Sequence, residues 1–320
     1  MKRRDFMKLS AATALGATVA AMAPSALAAT ELNQTNGDLH TTVDRKTATM
    51  GLGDGKTFAY DPEKPYLNVN VGLFHDAQVT VGGQNVGTAT YYLPDGMDPW
   101  APAVIVLTPD DTTAKAFSGT VTGRMWRTVA CKNKIAVAFF GPENGGSWNL
   151  SLSAAGRDDA AALDALYQLM RKKSVKLSGA FSMDKSHTAL VGYKEGGAAA
   201  LLFGARWASD FSSICAVDAA EVPAASLEAV GGQYVLPFPG DSTRGVQEEA
   251  IAAKTVDTPV WLVRSNADST NKAALEFYLK ANQAVAKGDG VYVSGRAGSA
   301  AEVWVTEKAV SYTHLTLPTT

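Results

Sequence analysis

The chain has 320 residues, of which 46% are hydrophobic and 19% charged, and this composition excludes an intrinsically disordered protein. Lysine and arginine total 29 against 31 aspartates and glutamates, so the net charge is −2 and no positive field favours a nucleic acid partner. The two cysteines, Cys131 and Cys215, are too few for a zinc ribbon or an iron–sulfur cluster. We expect a folded protein with no cofactor and no nucleic acid partner.

Residues 1–28 have the composition of an export signal. Arg3 and Arg4 lie in a basic stretch, an alanine-rich apolar run follows at 9–22, and the small residues Ala26 and Ala28 are typical of a cleavage site. The paired arginines resemble the twin-arginine signal, which implies the twin-arginine export machinery as a partner and a periplasmic or extracellular protein. The alternative is an N-terminal transmembrane anchor, but the run is short for a span of ~20 residues. We expect no stable membrane anchor after cleavage.

The two flanks of the predicted domain differ from its interior. Residues 29–65 are largely polar and predict an irregular lead-in. Residues 309–320 show no helical or strand periodicity and resemble a translated sequencing adapter, so we expect an artefact that replaces the natural sequence after Lys308. His314 lies in that tail and receives no function. The folded domain is predicted at 66–308, truncated at its C-terminus.

Extended stretches open the domain at 66–74, 78–81 and 88–93, and Gly82 with Gly83 predicts a hairpin turn. Continuous apolar runs follow, rich in β-branched residues, as strands buried on both faces require. These runs lie at 103–108, 135–140, 188–192, 214–217, 260–263 and 303–305.

Helical periodicity separates these runs. At 156–173, apolar side chains recur at the spacing of one helical face, and 271–286 repeats the pattern. Strands that alternate with helices indicate βαβ units, so we expect a three-layer α/β/α sandwich with a mostly parallel central sheet. In such sheets, binding and catalytic sites form at the carboxyl ends of the strands.

One segment carries the strongest functional signal. The buried strand at 188–192 is followed by the turn Gly192-Tyr-Lys-Glu-Gly-Gly197 and by a helix of small residues. This order resembles the Gly-x-Ser-x-Gly nucleophile elbow of α/β-hydrolases, in which the sharp turn requires small flanking residues. Over roughly 88–305 the chain is most similar to secreted polyhydroxybutyrate depolymerases and feruloyl esterases. The resemblance implies an α/β-hydrolase-like fold and carboxylic-ester hydrolysis as the family's activity.

Lys194 occupies the position that holds the nucleophilic serine in that family. An ammonium group cannot replace a hydroxyl that passes its proton to a base during acyl transfer. Three interpretations stay open. In the first, the site has lost its activity and Lys194 is exposed. In the second, another hydroxyl reacts. In the third, Lys194 is itself a nucleophile or base, because a helix N-terminus lowers the pKa of its amine, although the neighbouring Glu195 works in the opposite direction. Hydroxyls near strand ends belong to Thr108, Ser147 and Ser265.

The resemblance also assigns the other members of a catalytic triad. Asp268 follows the strand at 260–263 and matches the triad acid, which orients the histidine. Asp268 is equally suited to cap the helix that begins near 271. The triad histidine would follow the strand at 303–305, so it is not in the fragment. The remaining histidines of the mature chain do not match that position: His40, His75 and His187.

The resemblance places an oxyanion hole between the backbone amide of Glu195 and the loop at 109–113. Asp110 and Asp111 in this loop would repel an oxyanion. Adjacent aspartates point their side chains apart and need further ligands to hold a metal ion, so we expect solvated loop acids and no metal site.

The sequence therefore predicts an exported α/β-hydrolase-fold protein that has lost serine-hydrolase activity and acts as a non-catalytic protein of the cell envelope or as a binding protein for a small-molecule or polymer ligand. The alternative is an active secreted carboxylic-ester hydrolase with a non-standard nucleophile. Trp100, Trp148 and Phe238 lie near predicted strand ends, where they either line a ligand cleft or pack in the core. Pairing of Cys131 with Cys215 after export is disfavoured by the predicted burial of Cys215 in a strand.

Overall fold

The computed structural model describes residues 72–81, 84–94, 101–171, 187–207, 210–230, 258–265, 271–295 and 301–307. The predicted export signal, the lead-in and the adapter-like tail lie outside these residues. Strands and helices alternate along the described chain, as the apolar runs and helical periods predict. No described helix is long and apolar enough to cross a membrane.

The strands build one sheet. Their bounds are β1 (Gly72–Val81), β2 (Gln84–Leu93), β3 (Ala103–Leu107), β4 (Ala136–Phe140), β5 (Thr188–Tyr193), β6 (Ser213–Val217), β7 (Val260–Arg264), β8 (Val285–Gly288), β9 (Val291–Val293) and β10 (Glu302–Glu307). The order across the 10-stranded sheet is β1-β2-β4-β3-β5-β6-β7-β10-β9-β8. Strands β4, β3, β5, β6, β7 and β10 pair in parallel, and the other pairings are antiparallel.

The parallel strands form the centre of the sheet because their side chains are apolar on both faces. Every residue of β3, β4 and β6 is buried. Such strands need helices on both sides, which the βαβ connections supply. The predicted mostly parallel sheet is therefore confirmed.

The described helices cover both faces of the sheet. They are α1 (Ala114–Ser118), α2 (Val121–Asn133), α3 (Asp159–Arg171), α4 (Glu195–Arg206), α5 (Ala224–Val230) and α6 (Lys272–Ala281). Buried residues of α1 and α2 join one apolar cluster, while buried residues of α3, α4, α5 and α6 join a second cluster with alternate strand residues. This separation gives the predicted three-layer α/β/α sandwich.

The predicted helix at 271–286 is wrong at its C-terminal end. Helix α6 ends at Ala281, and the backbone at Gln283 turns to a φ of 48°, which no helix continues. Val285 then begins β8, whose side chains are exposed. Apolar residues after Ala281 extended the helical pattern in the sequence, but they belong to an edge hairpin.

The two cysteines are free thiols, Cys131 in α2 and Cys215 in β6. Cys215 is buried in the sheet, as predicted, and burial raises the pKa of its thiol to about 12. A thiol that stays protonated is a poor nucleophile, so Cys215 acts as a small apolar residue of the core.

Candidate functional site

The sharp turn between β5 and α4 centres on Lys194. Its backbone has a φ of 51° and a ψ of −117°, a conformation that residues with a side chain adopt only under strain. The Lys194 amide donates to the Val217 carbonyl at 3.0 Å, and its carbonyl accepts from the amides of Ala198 and Ala220, each at 3.0 Å. Strand β6 and helix α4 thus hold the strained residue in place.

Glycines surround this turn because no side chain would fit. A Cβ added to Gly192 would lie 1.9 Å from the Gly196 carbonyl oxygen, and one added to Gly196 would lie 2.3 Å from the Thr108 carbonyl oxygen. A strained residue between close-packed glycines, directly after a central parallel strand and before a helix, has the backbone geometry of a nucleophile elbow. The strand order from β1 to β10 and the antiparallel pairing of β2 with β4 agree with the fold in which such elbows occur. The fold is α/β-hydrolase-like.

Comparisons with known proteins add the following. No family model matches the chain, and no curated protein matches it. Among solved structures, acetyl xylan esterase from Aspergillus awamori has a TM-score of 0.47 and 11% identity, covering 72% of this chain and 93% of that chain. Esterase B from Lactobacillus rhamnosis has a TM-score of 0.43 and 16% identity, covering 87% and 82%. FphF, a serine hydrolase from Staphylococcus aureus, has a TM-score of 0.42 and 13% identity, covering 65% and 84%.

The two parts of the oxyanion hole that the resemblance implies contact each other through a carboxylate. Glu195 is the first residue of α4, so the helix itself leaves its backbone N–H without an acceptor. In the loop at 109–113, the Asp110 amide donates to Oε2 of the Glu195 side chain at 3.4 Å. A negatively charged oxygen of the chain therefore lies on the amide that would face an oxyanion. This arrangement opposes the charge that builds up in acyl transfer.

The predicted loop acids have different surroundings. Asp110 is not a free loop acid, because its Oδ1 accepts from the Trp148 amide at 3.0 Å. Asp111 is exposed and adopts a φ of 56°. Trp148 is 5% exposed, its Nε1 donates to the Thr108 carbonyl at 2.8 Å, and its ring packs between Phe140 and Phe203. Trp148 is thus a core residue that anchors this loop.

The alternative hydroxyls differ in access. Thr108 is fully buried, and its hydroxyl donates to the Thr112 carbonyl at 2.7 Å. Ser147 is exposed at the carboxyl end of β4. The backbone amide of Ser265 donates to Oδ1 of Asp218 at 2.6 Å. None of these three hydroxyls belongs to a residue in a strained turn like the one at Lys194.

Sequence reasoning missed Asp218, which follows β6 directly. The pairing of Tyr193 with Val217 and of Val217 with Val263 places Lys194, Asp218 and Arg264 at the same level of the sheet. The rule that singled out Asp268, an acid at the carboxyl end of a buried strand, would also have found Asp218. The three residues form a row of alternating charge at the carboxyl edge.

An open groove of about 490 Å³ lies beside the carboxyl end of β4. Most of its lining residues are polar, among them Glu143, Asn144, Ser147, Asn149, Arg157 and Asp159. Arg157 forms a buried ion pair with Asp159, whose Oδ2 also accepts from the Asn149 amide at 2.6 Å. Burial raises the pKa of the Asp159 carboxyl, and the guanidinium works against this rise.

Several predicted residues lie outside the described chain: Asp268, His40, His314, Trp100 and Phe238. His187 precedes β5 at the amino end of the sheet, opposite Lys194, as the sequence indicated. His75 lies in β1, far along the sheet from β5. Within the described residues, no cluster of three or more histidine, cysteine, aspartate or glutamate side chains is arranged to hold a metal ion.

Proposed function

We propose that this chain is an exported ligand-binding protein built on an α/β-hydrolase-like fold, without serine-hydrolase activity. The single observation that carries the proposal is Lys194 at the strained turn after β5. Acyl transfer at this point of the fold needs a hydroxyl that gives its proton to a base, and an ammonium group carries no such hydroxyl. The frame of the elbow is intact, but its reactive group is replaced.

The surroundings of Lys194 support the same conclusion. The Glu195 carboxylate engages the Asp110 amide, so one of the two donors for an oxyanion already has a negatively charged acceptor. The alternative, ester hydrolysis by another hydroxyl, needs an exposed group at the elbow. Thr108, whose backbone carbonyl lies against Gly196 of the elbow helix, is fully buried, and its hydroxyl is bonded to Thr112.

The place of action follows from the first residues. The paired arginines, apolar run and small residues of 1–28 favour export by the twin-arginine machinery to the periplasm or beyond. There the carboxyl edge of the sheet would bind a small-molecule or polymer ligand. Expression of the full chain in cells with and without that machinery tests the route. Only the cells that have the machinery should release a shortened protein outside the cytoplasm.

A fluorophosphonate probe tests the loss of serine-hydrolase activity. Such probes attach to an activated serine, so we expect no labelling of the wild-type protein or of the matched control Lys194→Ala. Covalent labelling of the wild type, located by mass spectrometry, would contradict the proposal and favour an active ester hydrolase. The labelled residue would then identify the non-standard nucleophile.

The role of Glu195 is tested in a second background. We expect Lys194→Ser to react with the phosphonate at least 10-fold more slowly than Lys194→Ser/Glu195→Ala, because only the double variant frees the Asp110 amide for the phosphonyl oxygen (about 1.4 kcal/mol in the barrier). Equal and measurable rates would show that the Glu195 side chain does not compete for that amide, whereas no labelling of either variant would show that the chain supplies no base for the serine.

A further inference from the structure

The open groove at the carboxyl end of β4 is large enough for a ligand. Its volume of about 490 Å³ lies within the range of about 300–1,000 Å³ that small-molecule sites occupy. One wall is the turn at 143–147 that follows β4, and the other is the loop at 149–157 that leads into α3. Because neighbouring strands are about 4.8 Å apart, the groove lies about 10 Å from the elbow, across β3.

Hydrogen bonds within the chain fix the wall at 149–157. The Asn149 side-chain amide donates to the carbonyls of Ser153 and Arg157 at 2.8 and 3.0 Å, and its Oδ1 accepts from the Ser153 amide at 2.9 Å. The ion-paired side chains of Arg157 and Asp159, only 8% and 2% exposed, form the base of this wall. A wall held in this way loses little conformational freedom when a ligand binds.

The opposite wall is tied to the loop that also contacts the elbow. The Gly146 amide donates to the Glu143 carbonyl at 2.8 Å, and the Gly146 carbonyl accepts from the Asp111 amide at 2.9 Å. The amide next to Asp111 in the chain contacts the Glu195 carboxylate. The groove is therefore a preformed part of the carboxyl edge, where sheets of this kind bind ligands.

Three side chains in the groove are available to a ligand: Glu143, Asn144 and Ser147. All three are exposed, and none has a hydrogen-bond partner among the residues that the structure describes. A carboxylate only accepts hydrogen bonds, whereas an amide and a hydroxyl both donate and accept them. The groove thus offers acceptors and donors side by side, which suits a ligand that carries several hydroxyl groups.

The lining disfavours apolar and anionic ligands. Sites for apolar molecules have mainly hydrophobic and aromatic walls, but Ala155 and Gly156 are the non-polar residues that line this groove. Arg157 and Asp159 cancel in charge, so Glu143 leaves the lining with one negative charge. That charge repels carboxylates and phosphates.

We propose that this groove binds a neutral sugar unit of an oligosaccharide chain. Adjacent hydroxyls of a sugar ring each donate and accept, so they match the carboxylate of Glu143 together with the amide of Asn144. A polyester chain offers only acceptors and leaves that carboxylate without a partner. The inference rests on the proposed binding function and names its ligand class.

Saturation-transfer NMR on the intact exported protein provides the test. The neutral probes are the hexasaccharides of glucose in its two common linkages, maltohexaose and cellohexaose, with xylohexaose and mannohexaose. The galacturonate hexamer is their acidic match, and a methyl-capped oligomer of hydroxybutyrate represents a polyester. We expect transfer from the protein to at least one neutral hexasaccharide and none to the acidic hexamer or the polyester at equal concentration.

A first pair of variants connects binding to the space in the groove. Ala155→Leu narrows the groove without removing any of its hydrogen bonds, so it should weaken the Kd of the bound hexasaccharide at least 10-fold. Ala154→Leu is the matched control, because its neighbour Ala154 is exposed but does not line the groove. The control should bind with the wild-type Kd.

A second pair of variants tests the charge. Glu143→Gln removes the negative charge of the lining, so it should weaken binding of the neutral hexasaccharide and allow transfer to the galacturonate hexamer. Glu228→Gln makes the same change of charge at an exposed position of α5 and should alter neither signal.

Three results would overturn the inference: no transfer to any neutral hexasaccharide, equal transfer to the polyester, and an unchanged Kd in Ala155→Leu. Transfer to the polyester alone would reject the sugar but keep a binding function for the chain. Labelling by the phosphonate probe tests the loss of catalysis separately, so failure of this inference and failure of the proposed function are distinguishable.

Discussion

At the scale of single residues, the elbow keeps its backbone geometry although Lys194 stands where the hydrolase family has a serine. Lys194 has the same strained turn that a nucleophile would need, held by its backbone bonds to β6 and α4. Strain at such a position costs about 1–3 kcal/mol, which the close packing of the glycines around it must offset. The turn therefore persists because of its neighbours and not because of its central side chain.

Gly192→Ala tests this packing. The added Cβ would lie 1.9 Å from a backbone oxygen of α4, so we expect a loss of about 3–5 kcal/mol in the free energy of unfolding, measured in urea. Gly119→Ala is the matched control, because its Cβ would lie at an ordinary 3.5 Å from the Ala116 oxygen. Similar losses in both variants would mean that the elbow is not tightly packed.

At the scale of elements, the start of α3 depends on a buried ion pair. Arg157 bonds Asp159 and also donates to the carbonyls of Val86 and Gly141 at 3.0 and 3.1 Å. Its guanidinium stacks over Phe140 and Trp148. The arginine thus joins β2, the end of β4 and the first turn of α3, and it fixes the loop that forms the open groove.

Asp159→Asn tests this junction. Removing one partner leaves a buried charge uncompensated, so we expect a loss of about 3–5 kcal/mol in the free energy of unfolding. Asp76→Asn is the matched control: its side chain and that of Lys115, its ion-pair partner, are 58% and 57% exposed, and asparagine tolerates the φ of 56° at this position, so the loss should stay below about 1 kcal/mol. A small loss at Asp159 would contradict a structural role for the pair.

At the scale of the whole molecule, the sheet ends on one side in β1, an edge strand with a bulge at His75 and Asp76. His75 is partly buried, and its Nδ1 lies 3.3 Å from Thr90 Oγ1. Burial lowers its pKa below the ordinary 6.5, Lys115 and Arg127 lower it further, and Asp76 opposes them. Folding therefore favours the neutral imidazole.

This pKa shift predicts a pH dependence of stability. As the pH falls through about 6.5, the unfolded chain binds a proton at His75 before the folded chain does, so the free energy of unfolding decreases. Above that pH the contribution is fully present. We expect the wild type to lose more stability than His75→Gln between pH 7.5 and 5.5 in urea unfolding. Lys115→Gln should show an intermediate loss, and identical pH profiles would refute the assignment.

Most of the fold was predictable because its signals are local. Apolar runs located the parallel strands, helical periodicity located α3 and most of α6, and the glycine pattern located the elbow. Helix α2 was not predicted, because only Trp126, Ala130 and a few other residues of its sequence are buried and polar residues separate them. The hairpin of β8 and β9 was missed for a similar reason, since its side chains are not fully buried.

Patterns along the chain are enough to predict the layer architecture and the replacement at the elbow, because periodicity and residue identity are properties of neighbours along the chain. The contacts of each polar group become visible only in the folded protein. The carboxylate of Glu195 on the Asp110 amide joins residues 85 positions apart, and the guanidinium of Arg157 donates to the Val86 carbonyl 71 positions away. Such pairings depend on strand order and burial, which no short segment of the chain encodes.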